Sequence, residues 1–292
     1  MQSFTHQPVL TDAVIEHLAL RPGQTIVDAT LGLGGHAKSI LERLGGTGKL
    51  VGIDQDEQAL QAAEHNLSSY QDQLVLVRGN FRDFVQLVQR AIGSVRVDGI
   101  LFDLGVSSLQ LDDTSRGFSF NKSARLDMRM GGGEVTAAEV VNAYPVDELV
   151  RIFRDYGEEP RAMSIAKRIA VARQQQPIET TEQLVGIIGG YLGGRRHPAT
   201  RIFQALRIEV NDELGALERA LPQAVESLKP SGRLVVISFH SLEDRIVKHF
   251  FKTLTTGGSV RLLTKKAVTP SWEERKKNRR ARSAKLRAIE KL

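Results

Sequence analysis

Over the first 110 or so residues the chain alternates short β-branched runs with amphipathic helical stretches, and this rhythm limits the fold more tightly than any other feature. TIVDAT (25–30), KLVGID (49–54), QLVLVRG (73–79) and VDGILFDL (97–104) read as four strands. Helical patterns lie between them, near 36–44, 56–69 and 82–92, and a helix from Thr11 to Leu20 with an Arg21-Pro22-Gly23 turn precedes them. Repeated alternation of this kind predicts a mostly parallel sheet with right-handed crossovers and helices on both faces, an α/β fold.

From about 111 to 212 the strand signal disappears. Helical patterns replace it at 136–143, 146–155, 161–175, 181–189 and 198–212, enough chain for a helical domain of its own. A helix towards Leu228, a Lys229-Pro230-Ser231-Gly232 turn and RLVVISF (233–239) then resume the α/β pattern; 242–254 reads as helix and Val260 to Leu263 as an edge strand. The expected organisation is a discontinuous core, 1–111 with 213–292, interrupted by an all-helical insertion, 112–212. No internal repeat is visible.

With 41% hydrophobic and 25% charged residues among 292, the chain has the balance of a globular protein. No apolar run approaches the ~18 residues of a membrane span, and MQSFTHQPVL has neither a basic leader nor an apolar segment, so the expected setting is the cytoplasm. The absence of cysteine excludes thiolate zinc sites and cysteine nucleophiles, including enzymes that attack a pyrimidine ring through a cysteine adduct. The charge is uneven. Lys265 to Leu292 holds 11 Lys and Arg against 3 acids, so the rest of this chain of net charge +6 is slightly acidic. A basic C-terminal tail, about 265–292, is expected to bind a polyanion, the alternative being a solvated charged helix.

The first strand runs into Thr30-Leu31-Gly32-Leu33-Gly34-Gly35-His36-Ala37, where Gly32, Gly34 and Ala37 meet the Rossmann-like fingerprint of a tight turn at a helix start. Asp28, Asp54 and Asp103 end strands one, two and four, and are expected to face the crevice at the carboxyl edge of the sheet. Asp54 suits the ribose hydroxyls of either a dinucleotide or S-adenosylmethionine. Asp28 and Asp103 would repel a pyrophosphate but attract an ammonium and a sulfonium, which favours S-adenosylmethionine over NAD.

Several longer strings are more specific: HQPVL (6–10), DATLGLGGH (28–36), DLGVSSLQLDD (103–113), RGFSF (116–120), LDMRM (126–130), HPATRIFQALRI (197–208) and ISFHSLEDR (237–245). In order and across nearly the whole chain, they resemble the ribosomal RNA small subunit methyltransferase H family, also called MraW. The resemblance implies a class I S-adenosylmethionine-dependent core and N4-methylation of a cytidine in the decoding region of 16S rRNA. The partner expected is that RNA in an assembled or nearly assembled small ribosomal subunit, with no membrane, DNA or metal, and with a homodimer as an option. It also implies cofactor contacts at Gly34, Gly35, His36, Asp54, Phe81, Asp103 and Gln110. Where such families usually show Asn-Pro-Arg-Ala-Arg-Ser, this chain has Asn278-Arg279-Arg280-Ala281-Arg282-Ser283, a departure that bears on RNA docking rather than on the core chemistry.

In the sheet that the resemblance implies, strands four and five are neighbours, so 103–108 and 238–244 should flank the transferred methyl group. A cytosine amine is a poor nucleophile that needs alignment and hydrogen-bond acceptors. The candidates are Asp103 as acceptor, with Ser107, Ser238, His240 and Ser241 as positioning groups and Phe118, Phe120 or Phe239 as the stacking aromatic. His240, Ser238 and Ser241 equally suit the start of the following helix, and Phe118 or Phe120 the core. Arg195, Arg196, His197 and Arg201, with Gln204 and Arg207 nearby, form a candidate RNA face, as do Lys276, Lys277, Arg279, Arg280 and Arg282 of the tail.

Overall fold

The computed structural model describes residues 8–113, 115–120, 123–131, 133–189 and 197–292. Two compact units divide the chain: Met1–Ser107 with Leu214–Leu292, and Ser108–Glu213.

The first unit opens with α1 (Thr11–Leu18) and then alternates β1 (Thr25–Asp28), α2 (Gly35–Leu44), β2 (Lys49–Asp54), α3 (Glu57–Asn66), β3 (Leu74–Arg78), α4 (Phe84–Ile92) and β4 (Val97–Asp103). These strands run as near-continuous apolar segments because both faces of the sheet are covered. Val27, Ile100 and Phe102 point to one face, packed with Phe84 and Val88 of α4. Ile26, Leu50 and Leu101 point to the other, against Val14 and Leu18 of α1 and Ile40 and Leu41 of α2.

The second unit is helical: α5 (Ser108–Asp112), α6 (Ala137–Ala143), α7 (Val146–Asp155), α8 (Ala162–Gln175), α9 (Thr181–Ile188) and α10 (Pro198–Asn211). Capping boxes begin α6 (Thr136 with Glu139) and α9 (Thr180 with Gln183), and His197 caps α10 ahead of Pro198. Its core gathers Leu149 and Phe153 of α7, Ile165 and Ile169 of α8, and Ile202 and Leu206 of α10, all buried.

The chain then returns to the first unit through α11 (Glu213–Ser227), β5 (Leu228–Ser238), α12 (Ser241–Thr256), β6 (Val260–Leu262), α13 (Trp272–Lys277), a 3₁₀ turn (Arg279–Ser283) and β7 (Lys285–Lys291). The seven-stranded order is β3-β2-β1-β4-β5-β7-β6. β1 to β5 are parallel, and β7 lies antiparallel between β5 and β6. The predicted turn at Lys229 to Gly232 survives as an irregularity inside β5, where Ser231 has φ +64° and the register to β4 shifts between Val97 and Gly99.

The basic tail expected over 265–292 is not an appendage. Its last quarter is an interior strand of the sheet: Leu286, Ala288 and Ile289 are fully buried, the first two on one face and the third on the other. The charges of β7 are spent inside the protein. Lys285 and Arg287 donate to the two oxygens of Asp244 at 2.9 and 2.7 Å, and Lys291 to the carbonyls of Val225 and Glu226. Burial pushes the Asp244 carboxyl up, but the bonds from Arg287 and Lys285 outweigh it and hold the group below its usual range. The exposed basic residues of this stretch, Lys265, Lys266, Arg275, Lys276, Lys277, Arg279 and Arg282, lie ahead of β7.

Ile289→Ala should therefore cost about 2–5 kcal/mol, lowering the melting temperature by several degrees, whereas Lys276→Ala should leave it nearly unchanged; thermal unfolding followed by circular dichroism checks both.

Candidate active site

The apolar runs of β1, β2 and β4 each stop at an aspartate: Asp28, Asp54 and Asp103. Parallel pairing brings these strand ends to one edge, with Asp28 in register with Gly52 of β2 and Leu101 of β4. Thr30 joins two of them, because its N–H donates to Asp28 Oδ1 at 3.1 Å while its Oγ1 accepts from the Asp103 N–H at 2.6 Å. The carboxyl oxygens of Asp54 accept from the Gly32 and Asp56 N–H groups at 2.8 and 2.9 Å, which fixes the glycine loop against β2.

Gly34 caps α2 at φ +82°, and a Cβ there would lie 2.8 Å from Leu67 Cδ1, so both backbone and packing demand glycine. Gly32, at φ +53°, and Gly35 complete the loop; a Cβ on Gly32 would stand 3.9 Å from Ser107 Cβ, which places Ser107 beside it. The second residue of α2, His36, is buried with Nε2 3.4 Å from Asp103 Oδ2.

These groups sense one another. Burial pushes Asp28 from an ordinary 3.8 up to about 7, against the attraction of His36 and the Thr30 bond, with Asp103 and Asp54 adding repulsion. Burial likewise raises Asp54 to about 6 in spite of its backbone donors. For His36 burial acts downward, but Asp103, Asp28 and Glu274 together raise its affinity for a proton. Asp103 Oδ1 and both ring nitrogens of His36 are buried without a hydrogen-bond partner among the described residues. A crevice with three acids and an orphaned acceptor fits a ligand that brings ammonium, sulfonium and hydroxyl groups, and opposes a diphosphate.

The other candidates are dispersed. Ser238 is buried at the end of β5 and its hydroxyl donates to the Lys285 carbonyl of β7 at 3.3 Å, so its proton serves the sheet. His240 caps α12: Nδ1 accepts from the Glu243 N–H at 3.4 Å, and Nε2 lies 3.1 Å from Glu243 Oε1. Ser241 is the exposed first residue of α12. Phe239 lies against the Gly105 backbone, where a Cβ would approach its ring to 3.5 Å. Phe81, after β3, sits edge-on to Phe102 at 5.5 Å and keeps part of its surface open.

Within the helical unit, Gln110 lies buried on α5, and Phe118 is buried beneath the Arg116 guanidinium. Phe120 stacks on His197 at 5.4 Å and meets Phe203 edge-on. Arg201 is half exposed, 3.8 Å from Glu159. Two neighbours expected on the RNA face are structural: Gln204 donates to the Tyr156 carbonyl, and Arg207 makes a two-pronged bond to Glu213. Arg195 and Arg196 lie outside the described residues.

Sequence reading missed Thr30, Glu243 and Glu274. Glu243 accepts from the Phe239 and His240 N–H groups and so closes the β5–α12 turn. The signal for it was His-x-x-Glu, a capping box with an unusual first residue. Glu274 of α13 accepts from the Leu10 N–H at 2.7 Å, a bond across 264 residues that no local pattern announces.

A sheet in this strand order, with a glycine loop after β1 and acids ending β1, β2 and β4, defines a class I S-adenosylmethionine-dependent methyltransferase. The chain belongs to the MraW methylase family, which it matches over residues 3–292. Similar curated proteins include the ribosomal RNA small subunit methyltransferase H of Carboxydothermus hydrogenoformans, 49% identical over 309 aligned positions covering 99% of this chain and 98% of the relative. The protein of that name from Elusimicrobium minutum is 47% identical and covered in full, as is this chain. Among solved structures, an rRNA methylase from Streptococcus thermophilus aligns with a TM-score of 0.45 at 11% identity, over 97% of this chain and 93% of that one.

A carboxyl whose pKa is raised on folding supports the ligand-free fold below its unfolded value near 3.8 and loses that contribution as pH rises through about 7. Asp28→Asn keeps the acceptor for Thr30 and removes the buried charge. At pH 8 the ligand-free variant should melt a few degrees above the parent, with the difference vanishing near pH 4, as scanning calorimetry across pH would read.

Proposed function

We propose that this chain methylates the exocyclic N4 of a cytidine in the decoding region of 16S rRNA, with S-adenosylmethionine as donor and the assembled or nearly assembled small ribosomal subunit as substrate. The name shared by its full-length relatives supports the ribosomal RNA substrate. The observation that carries the amine chemistry is Asp103, an acceptor with one unpartnered oxygen at the end of β4, held by Thr30 and faced by His36.

Bound at this edge, S-adenosylmethionine supplies an electrophilic methyl group on a sulfonium. Asp54 suits the ribose hydroxyls, Phe81 the adenine, and Gly34, Gly35 and His36 the remainder, with Asp28 and Asp103 balancing positive charge; Gln110 belongs to the same proposal. The amine of cytosine is weakly nucleophilic because its lone pair is delocalised into the ring. Asp103 would accept a hydrogen bond from an N4 proton, draw the nitrogen towards tetrahedral geometry, and take up that proton as the N–C bond forms and the sulfonium–methyl bond breaks, the donor leaving as a neutral thioether. Ser107, beside the glycine loop, is the candidate positioning hydroxyl, while His240 and Ser238 act by fixing the end of β5. With no cysteine in the chain, a route through a ring adduct is closed.

The exposed Lys276, Lys277, Arg279 and Arg282, with Arg280 partly exposed, are proposed to hold RNA phosphates, and His197 and Arg201 to extend contact from the helical unit. No helix among the described residues is long and apolar enough to cross a membrane.

Incubation with unmodified small subunits and labelled donor, followed by mass mapping, should place the label on a cytidine N4; label on a ring carbon or ribose oxygen overturns the amine reading. Asp103→Asn should lower turnover by about 100-fold or more, and full transfer with unchanged cofactor affinity would remove its acceptor role. Because protons compete with the ligand's positive charge for Asp28 and with its ribose hydroxyls for the Asp54 carboxylate, affinity for S-adenosylmethionine should rise between pH 6 and 8, with proton release on binding seen by calorimetry in buffers of different ionisation enthalpy.

A further inference from the structure

Trp272, the chain's one tryptophan, opens α13 with 66% of its surface exposed, an unusual place for the largest apolar side chain. Lys276, one turn on, holds its ammonium 5.1 Å from the ring centre, and Lys277, Arg279 and Arg282 stand exposed just beyond. Residues 272–283 carry six basic groups and two acids, and one of those acids, Glu274, is tied to the Leu10 N–H. Through Leu10 the helix is tied to the segment whose Pro8 lies 3.3 Å from where a Cβ on Gly35 would stand, so α13 is anchored near the glycine loop that carries His36. A flat, uncovered aromatic surrounded by cations and fastened next to a reaction centre has the composition of a platform for an unpaired base and its phosphates.

We propose that Trp272 stacks on an unpaired base of the substrate RNA, with Lys276 and Lys277 on the adjoining phosphates, and so guides a single-stranded segment to the crevice. This rests on the RNA reading above and adds a specific contact to it. Stacking asks only for an accessible π-face, so the platform selects single-stranded over duplex RNA without choosing a sequence. The competing explanation is a purely intrahelical contact in which Lys276 covers the ring and no ligand does.

The single tryptophan makes the test direct. The full chain is titrated with an end-labelled, unstructured nine-nucleotide RNA, following label anisotropy for binding and tryptophan emission for stacking, beside methylation of small subunits by the same preparation. Binding with strong quenching, little quenching by a duplex of equal length, and affinity lowered about tenfold by Trp272→Ala but largely kept by Trp272→Tyr supports the platform. The exposure of the ring predicts unchanged melting temperatures for both variants. Binding without a change in emission, or unaltered binding by Trp272→Ala, overturns the platform and leaves the RNA reading standing. No binding and no methylation overturns both. Lys276→Ala with Lys277→Ala should flatten the salt dependence of binding, and an unchanged slope counts against their phosphate role.

Discussion

Keeping carboxylates at the buried edge of a sheet is costly, and the first unit is organised around meeting that cost. Asp28 and Asp54 lie where burial favours the neutral acid, yet backbone N–H groups of Thr30, Gly32 and Asp56 are aimed at them. The first two donors exist because the chain leaves β1 through a tight glycine loop, and the third because β2 turns at once into α3. Apolar strands thus set the positions of the acids, the acids fix the loop, and the loop sets His36 against Asp103. The arrangement stores electrostatic tension that a cation would relieve.

Much of this was legible in the residues. Short continuous apolar runs ending in aspartate gave β1, β2 and β4 and their shared edge, and the helices of the inserted unit lie within a few residues of their periodic patterns. β7 was not legible, because in KLRAIEK each buried Leu, Ala or Ile sits beside a charge, and the charges have partners far away in sequence, on Asp244, Arg233 and Arg261. Pairing of that kind turns a polar-looking segment into interior structure, and composition alone cannot reveal it.

The same limit explains the site residues that shifted role. His240 looked chemical because it follows a strand end, but the Glu three residues on makes it a helix cap. Arg207 stood near the candidate RNA face because it shares a helix with Arg201. Asp212, at φ +47°, turns the chain sharply after α10, and Glu213 meets the guanidinium. A periodic pattern specifies a helix face, not what the next turn folds onto that face.

The placement of β7 has a consequence for biosynthesis. β5 and β6 are joined only through a strand made from residues 285–291, so until that stretch leaves the ribosome, one edge of the parallel array stays bare and Asp244 has neither of its cations. Long-range closure of this type is slow and comes last. The nascent chain is therefore held short of its finished form until residues 285–291 have emerged, and the parallel strands wait, with one edge open, for a segment made long after them.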